Sequence, residues 1–448
     1  MAFKWALYFE LLAEELGRKN KSVQLDITAL EQSWDRFRNI DYPLATTPLV
    51  LNPDWERNHR AQMHCYLCLL EKTVQLCVEH AEISEYLGHS AIDRQFVLTP
   101  RRTDRYIEIC RVDGYIDRSN GTLKILEHNS DSPAGIVFTP RLNALVLDIW
   151  RSFGLLELDK YLGAEQFDDP LRTQRHFESF VDARTPGLAI LQEAGKSNVE
   201  SIEMERSFTA SGLPTRVVDP GEVTTQASGA SANGQGISVI WNKINTVGWR
   251  DYLERNSSQV NKWLALQNDE RICHLNHFGA RLVAENKRCL SLLQEPRFEA
   301  LFTDDERQLV KHMLPWARKF EPGKRVAWKD NEIDMQTLAT THREQLVIKE
   351  PYDIRGDGVT VGIDCSPIEW ENKVQRAFEQ RLVLQEYVAP LQMPVCHTHH
   401  WSRQQISNLS LDTFMFSGDV VGYGAKASTK HKVNLFKGGQ KIAVLQGT

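Results

Sequence analysis

The stretch RVDGYIDRSNGTLKILEHNSDSPAG, residues 111–135, decides how this chain is read, because it brings Asp113, Glu127 and Asn129 within reach of one another. Within it, YIDRSNGTLKIL alternates as two strands about a turn at Ser119, Asn120 and Gly121. A two-residue Asn-Gly turn pairs Asp113 with His128. A three-residue Ser-Asn-Gly loop with Gly121 left-handed instead pairs Asp113 with Glu127 and Arg111 with Asn129. Directly paired residues share a face, and a one-residue slip sends them to opposite faces, so a shared site requires the three-residue loop. Two carboxylates and an amide oxygen then make a hard-oxygen set suited to Mg²⁺, which keeps waters and shares positions with nucleotide phosphates. The plain alternative is a solvated hairpin whose charges face water.

Around the hairpin, 448 residues supply chain for roughly three domains of ordinary size. Hydrophobic residues at 42% and charged residues at 25% match a soluble globular protein. The net charge of −6 argues against a general nucleic-acid binder, so anionic ligands have to be met locally. The opening MAFKWALYFELLAEELGR carries Glu10, Glu14 and Glu15 in an apolar stripe and reads as an amphipathic helix, not a signal peptide. No run reaches membrane-spanning length, and the eight cysteines form no compact framework. A cytoplasmic protein with reduced thiols is the expectation. Cys65 and Cys68 form a CxxC, but Met63, Leu67, Leu70, Val74 and Cys77 around them repeat at helical spacing, which predicts buried helix thiols over a zinc site.

Three regions follow. Residues 1–155 are helical at first and then carry the hairpin, with Pro133 and Gly135 breaking the strand beside the metal candidates. Residues 156–270 alternate apolar strands (187–192, 215–220, 236–243) with a helix near 200–211, the pattern of a small parallel α/β unit that suits substrate binding. No GxGxxG follows its first strand, and TTQASGASANGQG, 224–236, reads as a flexible surface loop. Residues 271–448 open with helical segments at FGARLVAENKRCLSLL and DDERQLVKHMLPWARKF and then turn to strands.

In that last region, EQLVIKEPYDIRGDGVTVGID sets Lys349 at a strand end before a loop with Gly356, Gly358 and Gly362. Glycines allow close approach, backbone N–H groups in such a loop can cradle phosphates, and Lys349 and Arg355 add positive charge. No GxxxxGK[ST] occurs, so this is not a P-loop; a bland glycine hairpin is the alternative. Next, EWENKVQRAFEQRLVLQEYVAP reads as a helix running into a strand whose edge, Gln385 to Val388, could meet an adenine ring through main-chain groups.

The order of RxD, ExNxDxPxG, the Asn286-Lys287 pair, LVIKEP with its glycine loop and VLQEYV resembles the circularly permuted ATP-grasp enzymes, a group with glutathionylspermidine synthetase-like ligases. The resemblance spans most of residues 105–448 and implies an α+β fold, with an α/β substrate domain and a helical N-terminal region. It implies that Asp113, Glu127 and Asn129 hold Mg²⁺ and that Arg111 stabilises the transferring phosphoryl group. Lys287 and Lys349 would contact ATP phosphates, Gly356 and Gly358 would cover them, and Gln385, Glu386 and Val388 would meet the adenine. Asp131 and Ser132 would lie near substrate. The chain departs from the pattern at Lys426, where arginine is expected, and at Ile354 and Arg355 in the glycine loop. The implied activity is ATP-dependent amide formation between a small-molecule carboxylate and an amine through an acyl phosphate, with no covalent protein nucleophile. A nucleotide-binding relative without turnover, or a small-molecule kinase, is the alternative. Neither substrate nor oligomeric state is named by the pattern.

Other signals read as structure. Cys396, His397, His399 and His400 in PVCHTHHW point alternately along a strand and predict no metal cluster. The tryptophans, Trp241, Trp328, Trp370 and Trp401 among them, read as core or pocket walls, and Lys426, Lys430, Lys432 and Lys437 as a solvated face, with phosphate attraction beside Asn434 and the Gly438-Gly439 pair as the alternative.

Overall fold

The structure is a computed structural model that describes residues 44–45, 47–144, 172–196, 198–226, 229–353, 356–397 and 400–446. The N-terminal amphipathic helix, Ile354, Arg355 and His399 lie outside the described residues. So does the side chain of Trp401.

Helix α1, Pro53–Glu79, begins where Asn52 accepts hydrogen bonds from Asp54 N and Trp55 N and Pro53 occupies the first turn. Such a cap is worth about 1 kcal/mol. Its buried stripe, Met63, Tyr66, Leu70, Val74 and Cys77, follows the helical period. Cys65 and Cys68 fall off that stripe and are exposed, so the expectation of buried thiols there fails although the helix itself is present.

The hairpin strands β1, Ile109–Ile116, and β2, Leu123–Asn129, pair Asp113 with Glu127 and Arg111 with Asn129. The turn is not the three-residue loop. Asp117 N bonds Thr122 O and Asp117 O accepts from Gly121 N, so the closing pair encloses four residues, with Gly121 left-handed at φ +76°. The four-residue turn alone would set Asp113 against Leu126. A β-bulge at Leu126 takes up the difference and restores the face shared by Asp113 and Glu127.

In the α/β region, β3 (Leu188–Leu191), α2 (Val199–Ala210), β4 (Thr215–Val218), β5 (Val239–Asn242), α3 (Thr246–Arg255) and β6 (Cys273–Leu275) form a four-stranded parallel sheet of order β6-β5-β3-β4. The two central strands, β3 and β5, are buried along their length, as the middle of a sheet covered on both faces requires. The segment read as a flexible loop is a three-stranded antiparallel meander, Thr224–Gln226, Gly229–Ala232 and Gln235–Ile237. Its second turn is Asn233-Gly234 with both φ positive, the hairpin signature that the low-complexity reading passed over.

A second, antiparallel sheet contains β7 (Ala317–Lys319), β8 (Leu346–Lys349), β9 (Val359–Val361) and β10 (Val383–Glu386) in the order β7-β10-β8-β9, with α4 (Pro367–Gln380) packed against one face. Because β10 lies between β7 and β8, Gln385 and Glu386 are not on an edge, contrary to the expectation for that strand. Last come β11 (Gln392–His397), β12 (His400–Phe416), β13 (Asp419–Ser428) and β14 (Gln440–Ile442). The early hairpin joins them in one sheet of order β14-β13-β12-β1-β2, with β11 also on β12. One face of this central sheet, Val112, Leu409, Leu411, Ala425 and Ile442, packs in the same core as α1. Period 2 then puts Arg111, Asp113, Ser410, Asp412, Lys426 and Lys441 on the other.

Among the tryptophans, Trp241, Trp328 and Trp370 are buried in cores, as expected. No described helix is long and apolar enough to cross a membrane, and no group of three or more His, Cys, Asp or Glu among the described residues could hold a metal ion.

Candidate functional site

The candidate site lies between the polar face of the central sheet and the face of the smaller sheet that carries Lys349. Leu346, Ile348 and Leu384 pack into the smaller sheet's own core with Trp370 and Val374, so Lys349, Val347 and Gln385 point the other way. Lys349 crosses to the hairpin and donates from Nζ to Leu126 O at 2.8 Å. The bulge thus supplies both the register and a main-chain anchor. Burial pulls the Lys349 ammonium down to about 8, against the opposing pull of Glu127.

Lys287, immediately before the short helix Arg288–Leu292, stands 3.3 Å from Glu127 Oε2 and also donates to Asp353 Oδ1. Burial disfavours its charge, but Glu127 and Asp353 more than offset this and hold it raised. Asp353 begins the glycine loop and accepts from Gly358 N at 3.2 Å. A Cβ at Gly358 would stand 2.7 Å from Asp353 Cβ and 2.9 Å from Glu350 Cβ, so this tight loop requires glycine there. Gly356 is left-handed at φ +70°.

On the hairpin, Arg111 grips Asp113 with two bonds, Nε to Oδ1 at 2.6 Å and Nη2 to Oδ2 at 2.9 Å, and reaches Ala134 O at 2.8 Å. Lys426 adds a contact to Asp113 Oδ2 at 2.8 Å and another to Asp412 Oδ1 at 2.8 Å. Burial alone would push the Asp113 carboxyl up, yet Arg111 and Lys426 hold it well below the usual range. Lys426 is therefore ion-paired in the site, not part of a solvated face. Asn129 donates to Arg111 O at 3.3 Å, which leaves its carbonyl oxygen as the acceptor for a cation.

Asp131 and Ser132 are tied into the scaffold. Asp131 Oδ2 accepts from Thr246 N and Oγ1 at the start of α3, at 2.7 and 3.0 Å, and Ser132 Oγ donates back to Asp131 Oδ1 at 3.1 Å. Glu285 accepts from Ser130 N and Asp131 N, and burial raises its carboxyl well above the ordinary range. These bonds fix the loop leaving the hairpin.

At the other end, Glu386 N and Tyr387 N are taken by Trp316 O and Gln345 O, which leaves less free main chain than a strand edge would. The Gln385 side chain, 1% exposed, has no hydrogen-bond partner on either amide atom. That is an orphaned buried amide on the Lys349 face, the kind of group a base edge would satisfy. Val388 is buried just beyond it.

Taken as a donor set, two buried ammonium groups, a glycine-requiring loop and the orphaned amide fit a nucleotide. For Mg²⁺, Glu127 and Asn129 offer oxygens directly, whereas Asp113 does so only by exchanging its contacts with Arg111 and Lys426. Sequence reasoning missed Asp353, Asp412 and Lys441. Strand alternation offered a signal for the second: in NLSLDTF, Asn408, Ser410 and Asp412 alternate with leucines.

No family model matches the chain, and no curated protein matches it. Among solved structures it is similar to a glutathione synthetase-like effector from Globodera pallida in its apo form, at 12% identity, with 95% of this chain and 98% of that one covered and a TM-score of 0.59. A putative gamma-glutamylcysteine synthetase from Methylobacillus flagellatus aligns at 12% identity over 84% and 87% of the two chains, with a TM-score of 0.40, too low to argue from. The first likeness is one of fold: the chain shares that protein's mixed architecture of helices and sheets, the α+β class expected of it.

Proposed function

We propose that the chain is an ATP-dependent carboxylate–amine ligase, a circularly permuted ATP-grasp enzyme acting on a small amino-acid or peptide substrate. The observation that carries this reading is the convergence of Lys287 and Lys349 on the Glu127 strand, from separate segments, beside a glycine loop. The permutation is supported by the early hairpin lying in a sheet otherwise made of C-terminal strands. The description of the similar fold as glutathione synthetase-like agrees with amide formation.

In the proposed reaction a substrate carboxylate oxygen bonds the γ-phosphorus of ATP and ADP leaves with the bridging oxygen. An amine nitrogen then bonds the acyl carbon, phosphate departs and the nitrogen loses a proton. Lys287 and Lys349 hold phosphates, and Arg111 offsets charge on the transferring group. Glu127 and Asn129, with Asp113, would hold Mg²⁺, which supplies further charge neutralisation at the phosphates. Gln385 would meet the base through its side chain, with Glu386 and Val388 beside it. Gly356 and Gly358 shape the cover, Asp131 and Ser132 border the substrate, and the protein works in the cytoplasm.

The test is phosphate and ADP release from ATP with mixtures of amino acids and amines. A substrate pair should stimulate wild type, and Glu127→Ala should lose turnover by roughly a hundredfold or more while keeping its unfolding midpoint. ADP formation retained in that variant sinks the assignment. One observation favours a second reading: both Asp113 oxygens are already engaged by Arg111 and Lys426. A nucleotide-binding relative would bind ATP tightly and release no phosphate with any pair, and a kinase would form ADP without an amide.

A further inference from the structure

The polar face of the central sheet holds more positive charge than the proposed reaction uses. Arg111, Lys426 and Lys441 stand there with Asp113, Asp412 and Glu127, and Glu127 is itself engaged by a fourth cation, Lys287, at 3.3 Å. Arg111 is engaged on Asp113 and Ala134 O, and Lys426 is shared at 2.8 Å between Asp113 and Asp412. Lys441 has one long ionic contact, 3.6 Å to Asp412 Oδ2, although it is only 9% exposed. Burial pulls its ammonium down to about 8.

The register sets these groups side by side. Lys441 on β14 lies directly opposite Lys426 on β13, and Lys426 directly opposite Ser410 on β12. Ser410 is 5% exposed, and its hydroxyl has no hydrogen-bond partner. A buried ammonium with one weak contact and a buried hydroxyl with none both cost folding free energy. The two ammonium groups face one carboxylate, Lys426 at 2.8 Å from Asp412 Oδ1 and Lys441 at 3.6 Å from Oδ2, a separation that a single oxyanion can bridge.

We infer that Lys441, Lys426 and Ser410 form a subsite for a small oxyanion, a carboxylate or phosphate borne by the acid substrate in addition to the carboxylate that reacts. The substrate class narrows to doubly anionic acids. Only the identity of the carrier rests on the ligase reading; binding of the oxyanion does not.

The experiment is a titration of the thermal unfolding midpoint of the full chain, without nucleotide, by inorganic phosphate and separately by glutarate. Butyrate and sodium chloride at matched ionic strength are the controls. Wild type should show a saturable rise with phosphate, glutarate or both, beyond the controls. Lys441→Met should raise the half-saturating concentration about tenfold, the loss expected for one charge-assisted bond, Lys441→Arg should stay near wild type, and Ser410→Ala should weaken binding several-fold. Phosphate alone assigns a phosphorylated acid and glutarate alone a dicarboxylate. The inference is overturned if wild type responds no more than to the controls, or if Lys441→Met responds as wild type does. Should Lys441→Met unfold, Ser410→Ala carries the same test. Because no ATP is present, failed turnover and failed anion binding are read separately.

Discussion

Lys349, proposed above as a phosphate contact, is held in the fold at a cost in stability. It is buried, its one hydrogen bond runs to Leu126 O, and burial lowers it to about 8 from an ordinary 10.5. A folded value below the unfolded one means that the unfolded chain binds more protons between those two pH values, so stability rises with pH across that window. Below about pH 8 the whole penalty is present, on the order of 3 kcal/mol for a shift of this size. Lys349→Met removes the charge and also leaves Leu126 O without its donor, which costs about 1 kcal/mol. The variant should therefore be about 1–2 kcal/mol more stable than wild type at pH 7 in denaturant melts, with the difference shrinking by pH 9.5, and its ATP affinity should fall. A Met variant less stable at pH 7 would mean that the ammonium supports the fold. Lys441, lowered by burial in the same way, contributes equally to both proteins and cancels in the comparison.

The hairpin shows how an element can be legible in outcome and hidden in means. Alternation in YIDRSNGTLKIL marked two strands, and Gly121 marked the left-handed residue, because both are local properties of the chain. The bulge was not legible: Leu126 differs from its neighbours only in being the residue left over once Asp117 closes a four-residue turn. The same limit hid the meander at 224–237, whose small residues resemble a linker until Asn233-Gly234 is weighted as a turn. Removing Leu126 by deletion joins Ile125 to Glu127 with the alternation of faces kept, so Asp113 should still oppose Glu127. The carbonyl that receives Lys349 is lost. We expect the variant to fold, with an unfolding midpoint within a few degrees of wild type, and to bind an ATP analogue about tenfold more weakly by calorimetry, the worth of one bond to a charged donor. Undiminished affinity would mean that the bulge serves register alone.

At the scale of the molecule, what the sequence conceals is partnership across distance. Three strands of the parallel α/β sheet were legible because each is a short apolar run, whereas the fourth, Cys273–Leu275, lies past residue 270, where that region was expected to end. That β10 is central, that Asp412 backs Asp113 and that Lys287 reaches Asp353 depend on which segments meet, and no local pattern encodes it. The C-terminal loop gives another such meeting. Lys432 donates to Gly356 O at 3.0 Å and Val359 O at 2.8 Å, Lys437 stands 3.1 Å from Asp357, and His431 stands 2.6 Å from Asp364. The last two pairs are exposed and worth about 0–1 kcal/mol each. Lys432 makes two charge-assisted bonds to main chain, and losing them should cost about 1.5–3 kcal/mol of the closed arrangement, at least a tenfold rise in the open population. With Lys432→Met, tryptic cleavage between Arg355 and Gly356, followed by mass spectrometry at low enzyme concentration, should run about tenfold faster than in wild type, with an unchanged global unfolding midpoint. Added ATP analogue should slow cleavage in both proteins by occupying the site beneath the loop. Equal cleavage rates in the two proteins without ligand would show that the C-terminal loop rests on the glycine loop without holding it.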